Sequence, residues 1–178
     1  IKQLVSTGTD VNASDPDGWT PLMIASSDNS NPNIAKALID AGADVNAVDV
    51  YGATPLMYAA ANNSNPNVVK ALIDAGADVN ATDSYGSTAL TYSASDNSNP
   101  SVTKALIDAG ADIYVFDADG WTALMWAASN NNIGVIKILI EAGLSVDDVD
   151  FYGSTTLMYA AANNNNPDMI KTLVNAEA

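Results

Sequence analysis

The sequence predicts an all-α fold, a solenoid of stacked helix pairs joined by short β-hairpin-like turns, in one array over residues 1–178. A Gly-x-Thr step recurs at Gly18, Gly52, Gly86, Gly120 and Gly153, at intervals of 34, 34, 34 and 33 residues. A fixed period of that length marks stacked repeats. Each interval holds two apolar segments at helical spacing, separated by Asn-rich breaks that carry a proline except in the unit where the second helix follows Asn132. In a solenoid each unit buries its apolar face only against its neighbours, and with cysteine and histidine both absent neither a disulfide framework nor the commonest metal ligand is available.

The stretch Asp49–Asn80 shows the elements of one unit. Thr54 to Asn62 predicts a short first helix, opened by Pro55 and continued by Leu56, Tyr58 and three alanines. Asn63-Ser64-Asn65-Pro66 breaks it, and Asn65 with Pro66 caps a second helix carrying Val68, Val69, Leu72 and Ile73. Gly76 stops that helix where a left-handed residue is wanted, and Ala77–Ala81 runs extended into the turn Asp83-Ser84-Tyr85-Gly86, forming a finger. The units run over about 1–14 (partial), 15–48, 49–82, 83–116, 117–149 and 150–178. Ile1–Ala13 matches a second helix and finger without a first helix, so the array is expected to begin mid-unit. At the other end, the helix expected over Pro167–Asn175 keeps Met169, Ile170, Leu173 and Val174 at interior positions, which predicts a continuing array or a partner on that face.

A 34-residue period also suits tetratricopeptide repeats, but the Gly-Ala-Asp-Val-Asn-Ala-x-Asp-x-x-Gly connection is too rich in Gly, Asp and Asn to be helical. At Asp49-x-x-Gly52-x-Thr54-Pro55-Leu56 and Ala71-Leu72-Ile73-x-x-Gly76-Ala77-Asp78-Val79-Asn80-Ala81 the chain resembles the ankyrin repeat, and the likeness covers essentially the whole sequence. Two departures count. The family's histidine after Pro-Leu is replaced by Met23, Met57, Thr91, Met125 or Met158, which removes a side-chain bond that in the family links neighbouring fingers, and most units carry one extra residue between helices. The resemblance implies a protein–protein interaction module, with fingers and first helices lining a concave groove and second helices forming the outer wall.

Composition narrows the function classes. The net charge of −15 argues against phosphate-backbone binding, hence against nucleic acid. Such acidity is accounted for by solubility alone, or by a basic protein or peptide partner. No run of about 18 apolar residues is present, so no membrane span is expected. The acids sit at repeat-equivalent positions rather than converging, so no catalytic residue, cofactor or metal site is assigned. Asp15-Pro16-Asp17-Gly18 and Asp117-Ala118-Asp119-Gly120 resemble half a calcium loop, but Ser26 and Ala128 stand where the bidentate glutamate belongs, so repeat-turn chemistry is the better account. Asn80-Ala81-Thr82 and Asn62-Asn63-Ser64 match glycosylation acceptors through the repeat pattern, and the Asn-rich turns are accounted for as helix stops and N-caps. Asp147, Asp148 and Asp150 are expected to form an acidic patch. A monomer is expected, and the compartment stays open between cytoplasmic, which is favoured, and secreted.

Two residue types separate onto two faces. Lys2, Lys36, Lys70, Lys104, Lys137 and Lys171 share one position of the second helix, and Lys36, Lys70, Lys104 and Lys137 each have an acid four residues on. All twelve aromatic residues lie in fingers and first helices. Tyr58, Tyr92, Trp126 and Tyr159 share one position and are expected to pack on the next finger. Trp19, Tyr51, Tyr85, Trp121 and Tyr152 flank the turn glycine, where burial is hard to arrange. Units three and four drift from the pattern at Ile113-Tyr114-Val115-Phe116 and Val146–Val149. Because stacking alone explains identical units, function is expected where they differ. Trp19, Tyr51, Tyr85, Tyr114, Phe116, Trp121, Trp126, Phe151 and Tyr152 are therefore the expected partner-binding residues, since Tyr and Trp dominate binding hot spots. A structural spacer or engineered scaffold is the competing reading, and ligand binding at the Asp-rich turns is the third.

Overall fold

The computed structural model describes residues 10–163 and 166–176. Ten helices are found among them, in pairs. They are α1 (Pro21–Asp28) with α2 (Pro32–Asp40), α3 (Pro55–Asn62) with α4 (Pro66–Asp74), α5 (Ala89–Asp96) with α6 (Pro100–Asp108), α7 (Ala123–Ser129) with α8 (Ile133–Glu141), and α9 (Thr156–Asn163) with α10 (Pro167–Ala176). None is long and apolar enough to cross a membrane. Ile1 to Thr9, which hold most of the expected half unit and Lys2, lie outside the described residues.

The first helices start alike. Thr20, Thr54, Thr88 and Thr122 are extended N-caps whose hydroxyls accept the backbone N–H three residues on. At Thr20 and Thr54 the cap is reciprocal, because the thioethers of Met23 and Met57 accept the threonine N–H at 3.5 and 3.4 Å. Methionine thus caps its own unit. Backbone bonds link the fingers instead: Val50 N–H donates to the Asp17 carbonyl (3.1 Å), Ser84 to Tyr51 (2.9 Å) and Ala118 to Tyr85 (2.8 Å). The finger hairpins are minimal, with single antiparallel bridges at Phe116–Thr122 and Val149–Thr155.

Asparagine does more than the sequence suggested. Asn31, Asn65 and Asn99 cap the second helices through Oδ1 as expected. The amide Nδ2 of Asn65 and Asn99 also donates back to the Ser30 and Ser64 carbonyls, at 2.7 and 2.6 Å. Buried Asn97 donates to the carbonyls of Ala60 (2.8 Å) and Asn63 (2.9 Å), and buried Asn63 to those of Ser26 (2.9 Å) and Asn29 (3.0 Å). A second ladder runs along the finger bases, where Asn12, Asn46 and Asn80 donate to the Gly42, Gly76 and Gly110 carbonyls and accept the Asp44, Asp78 and Asp112 N–H groups. Reading these residues as stops and caps alone is corrected: they staple each unit to its neighbour. Buried carbonyls between units need such partners.

Packing follows the repeat. First helices stack on first helices and second on second, and one apolar core runs between the two columns. Leu22, Leu56, Leu90 and Leu124 fill it from one side, Leu72, Leu106, Leu139 and Leu173 from the other. Fully buried Ala59, Ala60, Ala94 and Ala127 let the first helices approach closely. The far face of α9 is different. Met158 is 58 % exposed, whereas Met23, Met57 and Met125 at the same position are 0–1 % exposed.

Candidate functional site

An aspartate opens each finger turn. Asp49 Oδ1 accepts the N–H groups of Tyr51 and Ala53, both at 2.8 Å, and Asp83, Asp117 and Asp150 repeat the pattern two and four residues on. These four carboxylates are buried. Their Oδ2 atoms accept the Tyr58 hydroxyl, the Tyr92 hydroxyl (2.8 Å), the Trp126 Nε1–H (2.8 Å) and the Tyr159 hydroxyl. Each buried carboxylate is therefore matched by several hydrogen-bond donors, as buried polar groups require. The polar ends of these rings hold their own unit's turn, which corrects the expectation that they merely pack on the next finger.

The same geometry bears on two other readings of the aspartates, agreeing with the first and correcting the second. Asp15 and Asp117 direct a carboxylate oxygen at their own turn N–H groups, so the half calcium loop is a turn device. Asp150 belongs to the same buried column and not to a surface patch; Asp147 and Asp148 alone stand exposed. The Tyr159 hydroxyl bond holds the Asp150 carboxyl below its ordinary range.

The tyrosines are displaced the other way. Burial, then the hydrogen bonds they donate to Asp49 and Asp83, push the Tyr58 and Tyr92 hydroxyls well above the ordinary value of 10.0. A folded-state value raised above the unfolded one gives stability that is complete below the unfolded value and is lost as pH rises past it. Thermal stability is therefore expected to hold up to about pH 9 and to fall between about pH 10 and 12. The double variant Tyr58→Phe/Tyr92→Phe, less stable at neutral pH, should show a shallower alkaline fall in melting scans. An equally steep fall would show that these hydroxyls do not set it.

The expected binding residues divide into three groups. Trp19 and Trp121 are half-buried in stacks, Trp19 on Tyr58 at 4.2 Å and Trp121 between Trp126 (4.6 Å) and Tyr159 (4.1 Å). The expectation of free fingertip rings is thus corrected for both tryptophans, because each lies across the ring of the following unit. Trp126 stays half-buried beneath, tied to Asp117. Tyr51, Tyr85 and Tyr152 stand free, with Tyr152 at 80 % exposure. Tyr114, Phe116 and Phe151 are also exposed, and Phe116 meets Phe151 edge to face at 5.6 Å. Tyr114 occupies the position that Asn46 and Asn80 use for the finger-base ladder, so the ladder stops where this patch begins.

The described lysines are exposed on the second helices. Lys36–Asp40 (3.2 Å), Lys104–Asp108 (2.8 Å) and Lys171–Asp168 (2.9 Å) are surface pairs, worth at most about 1 kcal/mol each.

Paired helices, Asp-Gly fingers and the Thr-Pro-Leu helix start agree with the family comparison. The model for ankyrin repeats matches in three overlapping copies, over residues 1–83, 60–117 and 90–178. The chain belongs to the ankyrin repeat family. None of the curated proteins searched matches it. Ankyrin repeats are in general protein–protein interaction modules, and the family is typically non-enzymatic.

Proposed function

We propose that this ankyrin array holds a protein or peptide partner against its fingers and first helices, with the densest contacts on units three to five. The observation that supports the reading is the exposed patch of Tyr114, Phe116, Phe151 and Tyr152, continued by Val149. These side chains offer large apolar area in water, whereas the tryptophans Trp19 and Trp121 are already packed. Exposed rings with few rotatable bonds gain most from a partner.

A displayed random-peptide library panned on the array tests it. Recovered peptides should lose binding to the double variant Phe151→Ser/Tyr152→Ser by at least about tenfold, or roughly 1.4 kcal/mol, while its helical circular dichroism is unchanged. Undiminished binding would remove the assignment. Trp121 is a poor choice for this test, because its loss would also strip the Tyr159 stack.

A further inference from the structure

Rings at one position of the first helices are covered unequally. The residue after the turn glycine is Trp19, Ala53, Ser87, Trp121 and Ser154 in the successive units. Where it is tryptophan it lies over the ring of the next unit, Trp19 on Tyr58 and Trp121 on Tyr159. Where it is Ser87, no ring covers the equivalent side of Trp126, and a hollow of about 440 Å³ opens between units three and four. A space of that size holds a long side chain with bridging waters.

The chemistry of the hollow is one-sided. Tyr85, Tyr92 and Trp126 supply aromatic surface, and Asp83, Asp96, Asp117 and Asp119 supply carboxylates. The oxygens of Asp83 and Asp117 are occupied by turn N–H groups and ring donors, and Asp96 accepts the Ser95 hydroxyl at 2.6 Å. Asp119 is exposed at the rim and its carboxylate accepts no hydrogen bond among the described residues. No lysine lines the hollow. The described lysines all lie on second helices, so nothing among the described residues supplies a cation to this negative, ring-walled space. A cation over an aromatic face beside carboxylates is favoured by both groups at once.

We propose that the hollow between units three and four, where Ser87 leaves Trp126 uncovered beside Asp96 and Asp119, receives a lysine or arginine side chain of the partner peptide. The inference rests on the docking face proposed above and adds the charge of one anchor residue. The incoming cation takes the place that Trp19 and Trp121 fill at their own junctions.

Short Gly/Ser peptides carrying one central arginine, lysine, citrulline or glutamate provide the test, followed by the indole N–H resonance of Trp126, assigned by its loss in Trp126→Phe. The arginine and lysine peptides should shift that resonance saturably and bind at least about tenfold more tightly than the citrulline peptide, with the preference shrinking as salt is raised. Ser87→Trp should abolish the shift by filling the hollow as Trp121 fills its own. Asp96→Asn/Asp119→Asn should weaken cation binding at least about fivefold, whereas Asp40→Asn/Asp74→Asn on the outer helices should not. Equal binding of citrulline and arginine peptides, or unchanged binding to Ser87→Trp, would overturn the proposal. Should library-selected peptides still require Phe151 and Tyr152 while cationic peptides leave Trp126 unmoved, the hollow fails and the docking face stands. If instead cationic peptides bind here but no library peptide depends on Phe151 and Tyr152, the hollow is supported and the docking face fails.

Discussion

Leu106→Ala is expected to lower the unfolding free energy by about 3 kcal/mol, within the range for a fully buried leucine cut to alanine. Leu106 lies on α6 at 0 % exposure, and that helix packs on α5 within its unit and on α4 and α8 to either side. The cavity weakens one unit and both junctions flanking it. Because each unit in a solenoid touches only its neighbours, an interior lesion can uncouple the two halves. The urea transition should move to lower denaturant and broaden or split. Leu38→Ala, at the same position of α2, should cost less, since Leu38 is already 9 % exposed and its unit stands near the end of the described array. Equal losses at the two sites would mean that position along the array does not matter.

Gly18→Ala is the second large effect, expected at roughly 2–3 kcal/mol. Two costs combine. Gly18 has φ +87°, a conformation that costs an L residue about 1 kcal/mol or more. A Cβ there would also lie 2.8 Å from Asp49 Cα and 3.1 Å from Val50 N, backbone atoms of the next finger that cannot swing aside. The fingers would have to part, at the expense of the Val50 N–H bond to the Asp17 carbonyl. Gly153→Ala separates the two costs. It has φ +80° at the same turn position, but nothing lies within 4 Å of the added Cβ, so about 1 kcal/mol is expected. Denaturant titration of both variants, with amide exchange at Val50, checks the difference. Equal losses, with Val50 as protected as before, would show that the close approach of the fingers contributes nothing.

The helix pairs were legible because their signals are local. Pro55 and Pro66 in first turns, Thr54 and Asn65 as caps, and Gly76 as a left-handed stop (φ +93°) act within a few residues of themselves, and each is found in that role. The aromatic residues were harder to place. Trp19 and Tyr51 both flank a turn glycine, yet one is stacked and the other free, because the deciding neighbour for Trp19 is Tyr58 in the next unit. The asparagines escaped for the same reason: Asn97 looks like a helix stop until the Ala60 carbonyl of the preceding unit is brought beside it.

The sequence by itself determined the period, the helix pairs, the family and the single repeat position that the lysines share, all properties of spacing and of short-range backbone chemistry. Only the tertiary structure decided which rings are covered, which asparagines join units and where a carboxylate-lined hollow opens. Those outcomes depend on residues about one repeat apart, and their contacts exist only once one unit has stacked on the next.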